Sequence, residues 1–327
     1  MPQITIKMGE SETRTISLSG GETVLSGLLK AGIDVPFGCQ SGVCHSCILQ
    51  SSSKQIPRES QKGLRDVEKS QGLFLSCCCK PQSPMDIHLA GRVDRYPTKI
   101  QSLEKIAREV WRLRLDRSIA YRPGQFVTLR HSSGITRSYS IASHPIEDDF
   151  IECHIRIYKD GKFSQLVRDH LKAGQQLELL GPYGSCVYEN ADKDKTLFLA
   201  GLGTGLSPLY GIARDALSQG HQGRIVLLIA AAQSGNLYYL DEITSLQNRF
   251  PSVEVHYSVQ DSGNGAGAIL PVSDVYAKAA EIFPSLHGCQ VYICGSPSFV
   301  QKMRKESFLR GASLADIYVD EFIRAVA

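Results

Sequence analysis

Residues 36–47 read PFGCQSGVCHSC, from Pro36 to Cys47, and further on residues 75–81 read LSCCCKP, from Leu75 to Pro81. Cys39, Cys44 and Cys47 stand as C-x4-C-x2-C, and Cys77 follows after twenty-nine intervening residues. Three thiols in one short loop can wrap a small inorganic centre, and a distant fourth can close it from another segment. Gly38 and Gly42 suit such a loop, because glycine turns sharply and brings backbone N–H groups close to whatever the thiols hold. Spacing alone leaves the fourth position open among Cys77, Cys78 and Cys79.

The chain around this loop is ordinary in composition. It has 327 residues, 42% hydrophobic and 21% charged, with a formal charge of +3. That length favours two or three domains. The charge balance and the lack of basic runs interleaved with aromatics exclude a nucleic-acid binder on composition. The first stretch, MPQITIKMGESETRTISL, alternates like a strand and lacks a basic segment followed by an apolar one, so no signal peptide is expected. No segment approaches the ~18 consecutive apolar residues of a membrane span. The expected location is therefore the cytoplasm, where ten cysteines point to metal binding or thiol chemistry rather than disulfides.

The spacing C-x4-C-x2-C with a distant fourth cysteine is that of plant-type 2Fe–2S centres. Structural zinc is the competing reading. Zinc sites usually show two C-x2–4-C pairs, and here there is one.

Pattern changes divide the chain into 1–90, 98–190 and 191–327. The first part carries short strands near Ile4–Lys7 and Thr13–Ser17, a helix near Thr23–Ala31, and the cysteine loop. AGRVDRYPT (Ala90–Thr98) reads as a linker. The second part is strand-rich: WRLRL, QFVTLR, FIECHIRIY and QQLELLGPYG, separated by turn signals, predict an antiparallel barrel. In the third part TLFLAGLGTGLSPLYGIARDAL, GRIVLLIAAA, VEVHYSV and QVYICGSP alternate apolar strands with helices, which predicts a parallel α/β sheet.

Taken together, these motifs resemble a known family. The first part is similar to plant-type ferredoxins. The remainder resembles the ferredoxin–NADP reductase superfamily. In this order they look like the single-chain iron–sulfur flavoprotein reductases of bacterial oxygenase systems. The resemblance covers nearly the whole chain. It implies a multidomain fold: an α+β ferredoxin-like β-grasp domain, an antiparallel β-barrel flavin domain and an α/β parallel-sheet nicotinamide domain. It also implies Cys77, the first of the triplet, as fourth ligand beside Cys39, Cys44 and Cys47, leaving Cys78 and Cys79 as neighbouring thiols. His45 departs from the glycine common after the second loop cysteine.

The same resemblance assigns the remaining candidates. RSYS (Arg137–Ser140) implies Arg137 on the FAD pyrophosphate, Tyr139 against the flavin and Ser140 near its reacting nitrogen. In DGKFS, Gly161 permits a turn and Ser164 reads as a helix N-cap, opening an anion site. An ordinary capped helix is the alternative there. GLGTGLSP (Gly201–Pro208) follows an apolar strand and opens a helix, so Gly201, Gly203, Thr204 and Gly205 let backbone approach a dinucleotide pyrophosphate. CGSP puts Cys294 and Gly295 beside the nicotinamide, although Cys294 also reads as a small buried residue ending a strand. YVDEF implies Asp320 as an active-site carboxylate and Phe322 over the flavin, with IRAVA following.

No Arg or Lys lies in AAAQSGNLYYLDE or QDSGNGAGA, the segments after the second and third strands of the α/β part. NADH is therefore expected rather than NADPH, with Ser234 and Ser262 as the remaining phosphate donors. The implied function is a relay: NADH reduces FAD, single electrons pass to the 2Fe–2S cluster, and the cluster serves a partner, a Rieske dioxygenase or di-iron hydroxylase. A stand-alone NAD(P)H flavin reductase with a structural metal module and a redox-sensing iron–sulfur protein are the alternatives.

Overall fold

The computed structural model describes every residue except 9–11, 34, 38, 39, 43–45, 54, 63, 65, 90–94, 190, 262–272 and 324–327. Three sheets follow one another along the chain. The first is built from β1 (Gln3–Met8), β2 (Glu12–Ser17), β3 (Ile48–Ser51), β4 (Leu73–Leu75) and β5 (Met85–Leu89), with helices α1 (Val24–Lys30) and α2 (Asp66–Ser70) between them. Its order is β2-β1-β5-β3-β4. β1 runs parallel to β5 and the other pairs are antiparallel, as expected for the β-grasp arrangement. α1 begins where the Thr23 side chain accepts from Ser26 N at 3.2 Å. It buries Val24, Leu25 and Leu28 against Ile4, Ile6 and Phe74. The helix lies so close to β2 that a Cβ on Gly27 would meet Leu18 Cδ2 at 2.0 Å.

The second sheet has β6 (Arg95–Lys105), β7 (Val110–Asp116), β8 (Phe126–Arg130), β9 (Thr136–Ser140), β10 (Phe150–Arg156) and β11 (Gln176–Tyr183), with α3 (Lys162–Asp169) between the last two. Its order is β10-β7-β6-β11-β8-β9, and every pairing is antiparallel. An isolated bridge from Ile141 to Cys153 brings the end of β9 to β10, so the two outer strands meet and the sheet closes into the expected barrel. α3 plugs one end with Phe163 and Val167, both buried among Leu113, Ile151 and Ile155. Deleting a ring such as that of Phe163 costs about 3–5 kcal/mol.

The third sheet has β12 (Leu197–Leu202), β13 (Ile225–Gln233), β14 (Val253–Asp261), β15 (Gln290–Gly295) and β16 (Ile317–Glu321) in the order β14-β13-β12-β15-β16, all parallel. Helices α4 (Leu206–Ser218), α5 (Leu240–Arg249), α6 (Val275–Ile282) and α7 (Pro297–Leu309) connect the strands. Both faces are covered, which is why β12, β13 and β15 are apolar almost throughout. The strand order reverses between β12 and β15. In open sheets of this kind, ligands bind beyond the carboxyl ends of the strands at that point. No helix among the described residues is long and apolar enough to cross a membrane.

Candidate functional site: a thiol pair and a cavity shared by two sheets

Among the described members of the cysteine set, Cys47 and Cys77 meet. Cys47 Sγ donates to Cys77 Sγ at 3.2 Å, and both residues are buried. Ser76 holds the two segments together, its N–H and hydroxyl both donating to the Cys47 carbonyl. Cys39 and Cys44 lie outside the described residues, as does His45. Among the described residues no three His, Cys, Asp or Glu side chains form a complete metal site. Two sulfurs on one tetrahedral metal with ~2.3 Å bonds would stand about 3.8 Å apart, so this pair needs little adjustment to share one iron. Hydrogen bonding to Cys47, burial and the neighbouring Cys78 all push the Cys77 thiol up. Such a pair resists ionisation until a cation offsets the charge, which suits a metal centre. Cys79 is different. It points into the core, with Sγ 3.9 Å from Met85 Sδ, and burial pushes its thiol up to about 12.

A cavity lies between the barrel and the parallel sheet. β9 contributes Arg137, Tyr139 and Ser140, Gly161 and Ser164 come from the cap and first turn of α3, Thr204 from the β12–α4 turn and Ser207 from the start of α4. β16 and the residues after it add Asp320 and Phe322. Arg137 makes no ion pair among the described residues, so the wall carries a guanidinium suited to a phosphate. Tyr139 packs its ring 5.5 Å from that of Phe163.

Two sheets join at Ser140. Its hydroxyl donates to Asp320 Oδ2 at 2.7 Å, and its carbonyl accepts from Ser207 Oγ at 3.0 Å. Burial raises the Asp320 carboxyl to about 6, against the lowering effect of the Ser140 hydrogen bond, with Glu321 adding to the rise. β15 and β16 place Cys294 in register with Asp320. Cys294 is fully buried, and burial together with its hydrogen bond to Cys186 holds the thiol far above the ordinary range. Its side chain is not among those lining the cavity, so it stands behind Asp320 as a buried, protonated thiol. Phe322 is tied back by its N–H, which donates to Gly295 O at 2.7 Å. Residues 324–327, the end of IRAVA, lie outside the described residues.

The glycine loop is shaped by close approach. A Cβ on Gly205 would stand 2.0 Å from the Cys294 carbonyl oxygen, so only glycine lets the β12–α4 turn settle against β15. Gly203 and Gly205 form a short 3-10 turn leading into α4. Ser164 corrects the expectation made for it. The N-cap of α3 is Gly161, without a side-chain hydrogen bond, and Ser164 sits within the first turn. Its hydroxyl donates back to Gly161 O at 3.0 Å and accepts from Tyr158 N at 3.1 Å. The helix starts earlier because Gly161, with φ −83 and ψ 100, takes the extended cap conformation.

Several residues of this region were not anticipated. Along β10 the odd positions, Ile151, Cys153 and Ile155, fill the barrel. The even positions, Glu152, His154 and Arg156, face outward. His154 and Arg156 line the cavity. His154 lies 3.1 Å from Glu152 Oε1 through Nε2 and 3.0 Å from the Tyr238 hydroxyl through Nδ1. Glu152 also accepts from the Tyr239 hydroxyl and, at 2.7 Å, from Arg114. Burial alone would raise the Glu152 carboxyl, but the hydrogen bonds from His154, Tyr239 and Arg114 overcome it and hold the group at about 2. Tyr239 takes a left-handed backbone, φ 62, at the start of α5. That conformation is costly for a bulky residue and is held here by its contacts. The alternating polar residues in FIECHIR were the available signal: a core strand with a charged or polar residue at every second position needs a second partner.

Arg108 was also unanticipated. It comes from the turn between β6 and β7, and its Nη1 donates to Gln233 Oε1 at 3.1 Å. Its N–H donates to Gly235 O at 3.4 Å. It thus brings a cation from the barrel to the end of β13, where the intervening loop has none. Ser262 lies outside the described residues.

Comparisons agree with this geometry. Residues 8–82 match the 2Fe-2S iron-sulfur cluster binding domain, 97–188 the oxidoreductase FAD-binding domain and 198–305 the oxidoreductase NAD-binding domain. The chain combines these three domains in one polypeptide and is an electron-transfer oxidoreductase similar to the iron–sulfur flavoprotein reductases. It is 28% identical to the phenol hydroxylase P5 protein of Acinetobacter pittii (strain PHEA-2), over 99% of this chain and 95% of that one. It is 27% identical to the CDP-6-deoxy-L-threo-D-glycero-4-hexulose-3-dehydrase reductase of Yersinia pestis, over 93% and 94%. Among solved structures it is similar to the Amycolatopsis cytochrome P450 reductase GcoB, with a TM-score of 0.72 and 27% identity over 98% of both chains.

Proposed function

We propose that this chain is an NADH-dependent reductase that delivers single electrons to a terminal oxygenase or hydroxylase in the cytoplasm. The observation that carries the reading is the 2.7 Å hydrogen bond from Ser140 to Asp320, which closes one cavity from the barrel and the parallel sheet, with Cys294 in register beside it. FAD, when bound there, would supply the conversion needed between a two-electron nicotinamide donor and a one-electron cluster.

The chain's residues bind, orient and exclude water. Arg137 pairs with the FAD pyrophosphate, and the first turn of α3 at Gly161 and Ser164 offers backbone N–H groups to the same anion. Tyr139 and Phe322 bracket the flavin. Gly201, Gly203, Thr204 and Gly205 receive the nicotinamide dinucleotide pyrophosphate at the start of α4, and Cys294 and Gly295 form the wall beside its ring. Ser140 and Asp320 share a proton at the cavity wall. Cys39, Cys44, Cys47 and Cys77 hold the cluster. Domain boundaries follow at 1–90, 98–190 and 191–327.

The NADH preference rests on the lack of Arg or Lys in the sequence after β13 and β14. NADPH is the second reading, favoured by Arg108 beside Gln233. The partner is assigned to oxygenases by likeness to the phenol hydroxylase and P450 reductases, with a dehydrase as the other partner class among the relatives.

Anaerobic titration of the purified chain with NADH and separately with NADPH, followed by visible absorption and low-temperature EPR, tests the relay. Stoichiometric flavin bleaching by NADH with a reduced 2Fe–2S signal is expected. Bleaching without iron would overturn the electron-transfer reading, and equal or better bleaching by NADPH would overturn the nucleotide assignment. Stopped-flow transfer to a purified hydroxylase and to a dehydrase distinguishes the partners.

A further inference from the structure

We propose that Cys78 is an exchange ligand of the iron centre, a second thiolate that replaces Cys77 on the iron that Cys47 also serves. This rests on the 2Fe–2S reading above. The triplet does not alternate like a strand. Cys78 N donates to Leu75 O at 3.0 Å, closing a turn over Leu75–Cys78, and the Cys77 and Cys78 sulfurs stand 3.7 Å apart. The Cys77 sulfur thus has two described thiol neighbours, Cys47 and Cys78, and the second is near enough to take its place. The Cys78 sulfur also lies against the cysteine loop. A Cβ on Gly42 would stand 2.6 Å from it, and Gly42, with φ +81, leaves that space open. Cys79 is the contrasting case, with its sulfur packed on Met85 in the core. Two of the three adjacent thiols therefore face the loop and one faces away.

The exchange is redox-neutral. Cys78 releases its proton to solvent as its sulfur–iron bond forms, Cys77 takes up a proton as its bond breaks, and the iron valence is unchanged. The iron keeps its full thiolate count while Cys77 is off the metal, so transient displacement of that ligand does not release iron.

The test uses the full chain, purified anaerobically, with Cys77→Ala, Cys78→Ala, the Cys77→Ala/Cys78→Ala double variant and Cys77→Ala/Cys79→Ala. Iron content and the EPR spectrum after dithionite reduction are measured, and far-UV circular dichroism with thermal melting reports folding. Cys77→Ala should keep about half or more of the wild-type iron with shifted g-values. The Cys79 double variant should match it, and the Cys78 double variant should fall to background. Cys77→Ala holding no more iron than its Cys78 double variant overturns the proposal. If Cys77→Ala loses the wild-type circular dichroism and melting transition and so fails to fold, Cys78→Ala decides instead: its iron should pass to a ferrous chelator at least about threefold faster than from wild type, and equal rates overturn the proposal. Wild-type protein without iron would overturn the 2Fe–2S reading itself, whereas an iron-replete wild type with an iron-free Cys77→Ala overturns the exchange alone.

Discussion

Replacing Glu152 by glutamine isolates the charge at the centre of the contact between the barrel and the parallel sheet. Glu152 is 3% exposed and accepts from Arg114, His154 and Tyr239. Its carboxyl is held at about 2 against an ordinary value of 4.5. A depressed carboxylate contributes stability that is fully present above its unfolded pKa and lost as pH falls toward the folded value. The shift corresponds to about 3 kcal/mol at pH 7, of which roughly 0.8 kcal/mol is lost by pH 4. Removing one member of a buried ion pair costs a similar ~3–5 kcal/mol. Glu152→Gln keeps the shape and removes the titration. Urea unfolding, followed by release of flavin fluorescence and by near-UV circular dichroism, should place the variant about 3 kcal/mol below wild type at pH 7. The gap should narrow by about 0.8 kcal/mol at pH 4. Coincident midpoints at pH 7, or a gap unchanged down to pH 4, would show that the network does not stabilise the junction electrostatically.

The other expectations concern the two centres. Cys47→Ser should abolish the EPR signal while FAD content and NADH–ferricyanide activity stay within about twofold, because the first sheet shares no strand with the other two; loss of FAD would contradict this. Asp320 has a raised carboxyl, so its contribution to stability is full below about 4 and lost as pH rises through about 6. Asp320→Asn should therefore gain stability relative to wild type between pH 5 and pH 7, by about 1 kcal/mol after solvent screening, and the rate of flavin reduction should lose its pH dependence across the same interval; stopped-flow profiles of both proteins test this. Gly205→Ala must displace the Cys294 carbonyl, and it should raise the KM for NADH at least about tenfold while FAD stays bound. An unchanged KM would mean that the turn does not cradle the nucleotide.

What the sequence disclosed was what short-range pattern encodes. Alternation in QFVTLR and FIECHIRIY marked the barrel, and the apolar runs TLFL and IVLLIAAA marked the buried parallel strands. Spacing marks Cys39, Cys44 and Cys47 as one set and leaves the fourth position open among Cys77, Cys78 and Cys79; the family resemblance points to Cys77, and the fold brings it to Cys47. Asp320 was placed by motif, and its partner Ser140 separately, but only the fold shows that the two share a hydrogen bond. Ser164 was misread as a cap because capping depends on the backbone at Gly161, which the residue type does not fix. Arg108 and the Tyr239–Glu152 contact escaped entirely. Each joins residues more than eighty positions apart, and neither loop carries a pattern that names its partner.

β10 serves as a wall common to two compartments, its odd residues filling the barrel while Glu152 and His154 bond to Tyr239 and Tyr238 in the segment that leads into α5. Recombination between reductases is constrained accordingly. A hybrid that exchanges the nicotinamide domain at a linker would set foreign side chains against Glu152 and His154 and remove the Tyr239 and Tyr238 hydroxyls that bond to them. A workable graft must carry Glu152 and His154 together with Tyr238 and Tyr239, so the unit of exchange for this junction is a set of side chains drawn from both domains rather than either domain alone.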